Sequence, residues 1–172
     1  RAPGAVALAR AGRDRAAIEA LGHLAQRELA QRREVVAVEE AGPDAVLLGG
    51  YLVDRPAALP SLRICVARLS PRRPVFAISG NHDRWSGRQA VREAVEAGGG
   101  RWLEGASIEL AAVGENKIRL DGTLRREPRS RDFRILCAHD PKVFPAALAA
   151  GYALVLAGHL HGGQCVFAQR EN

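Results

Sequence analysis

Apolar and polar residues follow two different periods along this chain, and the two alternate. Short apolar runs bounded by turn residues predict buried strands, whereas longer stretches with apolar residues three or four apart predict helices. The predicted strands span residues 45–48, 75–78, 133–138 and 153–157, and the predicted helices span residues 26–41, 57–69, 87–97 and 143–150. The alternation favours an α/β layered domain whose central strands are mostly parallel.

One region departs from that alternation. Between residues 102 and 120, short apolar pieces alternate with turn residues, which predicts a meander of antiparallel strands. Residues 121–132 are interpreted as a polar, basic loop and residues 164–168 as a candidate last strand, whereas residues 1–17 show no clear period. The chain has no internal repeat and no long linker, so residues 1–172 are expected to form a single domain.

Composition narrows the class of protein. The 172 residues are 47% hydrophobic and 26% charged, as in an ordinary soluble globular domain. No apolar run reaches the roughly 20 residues that span a bilayer, and no secretory leader is visible. The cytoplasm or the membrane periphery is therefore the expected location. The chain contains no methionine, and we expect the domain to be incomplete at both ends.

The basic charge of the chain is carried almost entirely by arginine. The formal net charge is +6, and arginine suits phosphate because its guanidinium donates a fork of hydrogen bonds. However, the arginines are scattered and aromatic residues make up only 5% of the chain, so a solvated basic surface is favoured over a nucleic-acid interface. Cys65, Cys137 and Cys165 lack metal-site spacing and are expected to be buried free thiols.

All five histidines lie close to the carboxyl end of a predicted strand or apolar stretch, and none lies in a predicted helix. They are His23, His82, His139, His159 and His161. Asn81 occupies the same kind of position. Because the carboxyl ends of parallel strands meet at one edge of a sheet, we expect these side chains to converge. Imidazole is the commonest metal ligand in proteins, so the pattern predicts a site for one or two transition metal ions.

Three motifs also carry a family resemblance. Residues 80–83 (Gly-Asn-His-Asp), residues 138–140 (Ala-His-Asp) and residues 158–164 (Gly-His-Leu-His-Gly-Gly-Gln) resemble, in order and spacing, those of the calcineurin-like metallophosphoesterases, in a bacterial branch. The resemblance covers about residues 18–165 and implies a four-layer α-β-β-α sandwich with two inner sheets and helices outside. It also implies hydrolysis of a phosphomonoester or phosphodiester by a hydroxide held on two metal ions.

The resemblance divides the candidate ligands between two divalent transition metal ions, with manganese, iron and zinc as the candidates. Asn81, His139 and His159 would hold one ion. His161, together with His23, would hold the other.

It also assigns roles around the reacting phosphate. His82 would lie near the leaving oxygen and stabilise or protonate it, oriented by a carboxylate such as Asp83. Asp54 would lie behind the metal ligands. Arg84 and Arg88 are candidate contacts for the phosphate.

Two positions depart from the family pattern. The family opens with Asp-x-His, where this chain has Leu21 in place of the aspartate, and its second motif begins Gly-Asp, where this chain has Tyr51. In the family, the aspartate that stands at the position of Tyr51 bridges both metals. The remaining ligands are neutral and suit one ion better than a close pair, so one ion or none is an alternative to two. A Tyr51 phenolate is a further candidate ligand.

Two functions therefore stay open. The first is a metal-dependent phosphoesterase whose activity is in question at Leu21 and Tyr51. The second is a catalytically inactive family member that binds one metal or a phosphorylated ligand and serves in binding or assembly. A nucleic-acid binder that uses the basic surface is a third alternative, and no oligomeric state is predicted.

Overall fold

The computed structural model describes residues 5–7, 18–21, 28–113, 116–126 and 131–159, with side chains from residue 35 onward except residues 112 and 113. Its strands form two sheets. The first sheet contains, in spatial and sequence order, β1 (Ala5–Ala7), β2 (Ile18–Leu21), β3 (Ala45–Leu48), β4 (Val75–Ala77) and β5 (Arg101–Trp102). β1 pairs antiparallel with β2, and every later neighbour in this sheet is parallel.

The second sheet contains four strands, also in sequence order. They are β6 (Ser107–Val113), β7 (Asn116–Asp121), β8 (Phe133–Ala138) and β9 (Leu154–Ala157). β6 and β7 are antiparallel, and β7, β8 and β9 are parallel to one another.

Helices connect the parallel strands. α1 (Glu28–Ala41), α2 (Leu59–Leu69) and α3 (Arg88–Ala97) follow β2, β3 and β4, and α4 (Phe144–Ala149) lies between β8 and β9. Pro56–Ala58 and Pro141–Val143 form single 3-10 turns ahead of α2 and α4. No helix within the described ranges is long and apolar enough to cross a membrane.

The packing produces four layers, because strand residues alternate between the two faces of each sheet. Val46 and Leu48 of β3 pack with the helices of the first sheet, whereas Leu47 and Phe76 face the second sheet. A third cluster sets Ala147 of α4 against the outer face of the second sheet. The expected α-β-β-α arrangement, with two sheets flanked by helices, is confirmed.

The predicted antiparallel meander is wrong in part. Only β6 and β7 are antiparallel, whereas Trp102 lies in β5, which extends the first sheet parallel to β4. β7 then pairs parallel with β8 across the region predicted as a basic loop. Short apolar pieces do not reveal their partners, because partner choice is made by packing across the sheet. The candidate strand at residues 164–168 lies outside the described residues.

Candidate metal centre

The loops that follow β3, β4, β8 and β9 meet at one edge of the two sheets. The backbone N–H of His159 donates to the carbonyl of His139 over 3.0 Å, which continues the pairing of β8 with β9 beyond the strands. Tyr51 from the first sheet reaches the same place, and its hydroxyl lies 2.8 Å from Nδ1 of His159. Asn81 completes the group, with its Oδ1 2.9 Å from Nε2 of His139.

The imidazole of His139 is held in one orientation by backbone. Its Nδ1 lies 2.9 Å from the carbonyl oxygen of Gly49, which can only accept, so Nδ1 carries the proton and Nε2 carries a lone pair. Gly50 and Gly80 lie directly against the ring, and a Cβ at either position would overlap it. Burial lowers the pKa of His139, and the neighbouring His159 acts in the same direction. The ring is therefore a neutral imidazole whose Nε2 lone pair is directed at Asn81 and His159.

These atoms fit a single metal ion. Nε2 of His139 faces Oδ1 of Asn81 at 2.9 Å and Nδ1 of His159 at 3.1 Å. Nδ1 of His159 has one lone pair, which either accepts the Tyr51 hydroxyl or binds a metal ion. When the ion takes it, three acceptors face one another. A shared cation satisfies such a set, and two imidazoles with an amide oxygen suit a borderline divalent ion.

Tyr51 occupies this centre in an uncommon backbone conformation. Its φ is 56°, and it is the one described non-glycine residue with positive φ. The ring lies edge-on to His82 and His139, with centroid separations of 4.4 Å and 4.5 Å. Burial raises the pKa of Tyr51, so the side chain is a neutral phenol at physiological pH. Strained residues of this kind cluster at functional sites.

A carboxylate lies beside the imidazole of His82. Nδ1 of His82 lies 3.2 Å from Oδ1 of Asp54, so Asp54 orients the ring. Asp83 is fully buried and instead accepts the backbone N–H groups of Gly80 at 2.7 Å and Val53 at 2.9 Å. Burial raises the pKa of Asp83 despite these hydrogen bonds. The carboxylate thus ties the Tyr51 loop to the Asn81 loop, whereas Asp54 is the carboxylate that lies beside the His82 ring.

His82 also begins a short helical turn, although no histidine is predicted in a helix. It is the first residue of the 3-10 turn His82–Arg84. On the far side of that turn, the indole of Trp85 stacks on the imidazole at 4.6 Å with an interplanar angle of 16°. Sequence reasoning missed Trp85, whose place four residues after Gly-Asn could have drawn notice.

A cleft of about 940 Å³ opens beside the donors. Its walls include Asn81, His139 and His159 together with Arg84 and Arg88. The guanidinium of Arg88 is paired with Glu104, whereas no ion pair involves Arg84 among the described residues.

Glu104 is a further residue that sequence reasoning missed. Its carboxylate accepts the backbone N–H of Ser79 at 2.9 Å and also contacts the Ser79 hydroxyl. Ser79 lies two residues before Asn81, so Glu104 fixes the strand end from which the amide donor projects.

The ligands expected for a second ion are not among the described residues. His23 and His161 fall outside the described residues, and Leu21 is described only as the last residue of β2. Within the described residues, histidine, cysteine and carboxylate side chains do not form a metal-holding group of three by themselves. The candidate ligands among the described residues are two imidazoles and the amide of Asn81, and the phenol of Tyr51 lies beside them. Cys65 and Cys137 are buried, as predicted, and Cys165 lies outside the described residues.

Comparison with known proteins identifies the family of this chain. The family model for calcineurin-like phosphoesterases matches residues 16–163. The uncharacterized metallophosphoesterase YkuE of Bacillus subtilis is 28% identical over 151 residues, which cover 76% of this chain and 51% of YkuE. The uncharacterized metallophosphoesterase YkoQ of the same organism is 28% identical over 137 residues, which cover 70% of this chain and 51% of YkoQ. The chain spans about half the length of these curated relatives, and no solved structure matches it significantly.

Proposed function

This chain belongs to the calcineurin-like phosphoesterase family, and we propose that it hydrolyses a phosphate ester in a metal-dependent reaction. One observation carries the proposal. His139 commits its Nδ1 proton to the carbonyl of Gly49, which leaves Nε2 facing Oδ1 of Asn81 at 2.9 Å. Two lone pairs at that separation repel each other unless a cation lies between them.

Asn81, His139 and His159 would hold one divalent ion, for which manganese, iron and zinc stay the candidates. When bound, such an ion supplies Lewis-acid stabilisation of charge on the phosphoryl oxygens. The chain's own contribution is a pre-ordered donor set, because backbone contacts and Asp83 fix the loops before any ligand arrives. His23 and His161 are proposed for a second ion.

His82 is proposed to give a proton to the leaving oxygen from Nε2. Its Nδ1 faces Asp54 at 3.2 Å, so the carboxylate orients the ring and Nε2 points away from Asp54. Arg84 is proposed to bind a phosphoryl oxygen from the cleft wall, whereas Arg88 is already paired with Glu104. A location in the cytoplasm or at the membrane periphery stays a prediction.

Binding without turnover is the second candidate function, and Tyr51 favours it. A neutral phenol stands where the family pattern has a bridging carboxylate, because burial raises the pKa of Tyr51. The chain would then bind one metal or a phosphorylated ligand and act in binding or assembly.

Metal analysis combined with a turnover assay tests both candidates. The purified chain is dialysed against manganese and its bound metal is measured by elemental analysis. Release of nitrophenol is followed from both p-nitrophenyl phosphate, a monoester, and bis(p-nitrophenyl) phosphate, a diester. We expect bound metal and turnover, both lost in His139→Ala and both retained in the exposed control Arg63→Ala.

Bound metal without turnover would support the second candidate and reject the first, and absence of both would overturn both. Leu21→Asp combined with Tyr51→Asp then tests impairment. A gain in metal content and in turnover is expected if those two positions limit the reaction.

A further inference from the structure

Trp85 is the most exposed large hydrophobic side chain among the described residues, at 72% of its surface. Burial of an indole would contribute substantially to folding, so leaving it in water forgoes stability. The other tryptophan, Trp102, is used in the ordinary way and lies in the core beneath the helices. Core packing therefore does not explain the position of Trp85.

Backbone geometry places Trp85 against the candidate catalytic histidine. The N–H of Trp85 donates to the carbonyl of His82 over 2.9 Å and closes the 3-10 turn. The two rings are then nearly parallel, at 16°, with their centroids 4.6 Å apart. One face of the indole is covered by the imidazole.

The imidazole beneath Trp85 is itself fixed in place. Asp54 holds its Nδ1 at 3.2 Å, and the edge of Tyr51 contacts it at a centroid separation of 4.4 Å. Tyr51, His82 and Trp85 thus form a row of rings that starts at the metal donors and ends in solvent. Within the described part of the chain, no other ring lies against the indole.

The geometry points to a stacking subsite for a planar heteroaromatic base on Trp85, so that the phosphate ester hydrolysed here is a nucleotide. This inference rests on the proposed function, because His82 marks the side on which the leaving group departs. A sugar between phosphate and base would pass His82 and bring the base onto the indole. Arg84, which belongs to the 3-10 turn of His82, lines the same cleft as Asn81 and supplies a guanidinium for the phosphate.

Stacking is the appropriate interaction because every base has a π face and the indole offers a large one. Stacking of one base on one aromatic side chain changes affinity by roughly 5- to 150-fold. A subsite of this kind selects bases over aliphatic groups without selecting strongly among bases.

The test is a pair of probes that differ only in the base. Adenosine 5′-monophosphate and ribose 5-phosphate are titrated by calorimetry into the metal-loaded protein and its Trp85→Ala and Trp85→Phe variants. The control is Ile64→Ala, which removes an exposed hydrophobic side chain elsewhere, on α2. We expect the parent to bind the nucleotide about tenfold more tightly. Trp85→Ala should abolish the difference, whereas Trp85→Phe and Ile64→Ala should keep most of it.

Equal affinities in the parent, or a preference that survives Trp85→Ala, would overturn the subsite. Phosphate release from both probes separates this inference from the proposed function. Turnover of both with equal kcat/KM rejects the subsite and leaves the phosphoesterase standing. A base preference in binding without turnover of either probe or of the nitrophenyl esters rejects the phosphoesterase and leaves the subsite standing.

Discussion

Gly42 and Gly50 flank β3 and provide a matched pair of substitutions. Both have positive φ, 59° at Gly42 and 98° at Gly50, so alanine is strained at either position. Only their surroundings differ. A Cβ on Gly42 would meet nothing within 4 Å, whereas a Cβ on Gly50 would overlap the His139 imidazole and lie 2.8 Å from the backbone of Gly80.

The expected costs follow from those surroundings. Left-handed backbone costs an alanine about 1–2 kcal/mol, and reduced freedom of the unfolded chain returns about 0.4–1 kcal/mol. Gly42→Ala should therefore lower the free energy of unfolding by about 1 kcal/mol. Gly50→Ala should cost a further ~1–3 kcal/mol, because the ring or the Gly80 backbone must move aside.

Urea unfolding of the metal-free proteins measures the difference, and elemental analysis after dialysis against manganese measures the consequence for the site. Gly50→Ala should lose most of its bound metal, because the hydrogen bond from His139 to Gly49 orients the ligand. Gly42→Ala should load like the parent. Equal destabilisation of the two variants together with equal metal content would refute this account of the site.

Three carboxylates, Asp83, Asp54 and Asp121, provide the remaining predictions. Asp83→Ala should lower the free energy of unfolding by about 3 kcal/mol, because two backbone amides lose their acceptor; a loss below ~0.5 kcal/mol in urea would contradict this. Asp54→Ala should lower kcat about tenfold or more with metal content unchanged, since His82 loses its orienting partner; an unchanged kcat would argue against that role. Burial alone would raise the pKa of Asp121, but its donors, including Tyr152 and a guanidinium, hold it below the ordinary value. Its stabilising contribution is therefore complete above the unfolded-state pKa of ~3.9 and is lost as the pH falls through the folded value. Acid unfolding should show this loss, and Tyr152→Phe should reduce it; an identical pH profile in that variant would contradict the assignment.

The layered fold was accessible from the sequence because its strands and helices differ in period. Strand β3 is apolar on both faces, as expected for a parallel strand between two layers, and the helices that follow carry apolar residues on one face. The pairing of β5 was not accessible. Two residues, Arg101 and Trp102, carry too little pattern to choose between two sheets.

The sequence likewise predicts some features of the candidate site and not others. Asn81, His139 and His159 were accessible because each follows an apolar run, and strand ends meet at a common edge. The partners of Asp54 and Asp83 were not, because the direction of a loop side chain depends on the backbone turn that carries it. Both lie near His82, and only the folded loops show which carboxylate reaches the ring.

The atoms of the metal centre come from distant parts of the chain. Tyr51 and His159 are 108 positions apart, and Asn81 and His139 are 58 apart. Closing such long loops costs entropy that the strand pairings must first repay, so the donors meet only after both sheets have formed. An ion held by Asn81, His139 and His159 would stabilise the finished fold and no earlier state. Metal loading would therefore report on completed folding, and the free energy of unfolding would increase with the concentration of free metal.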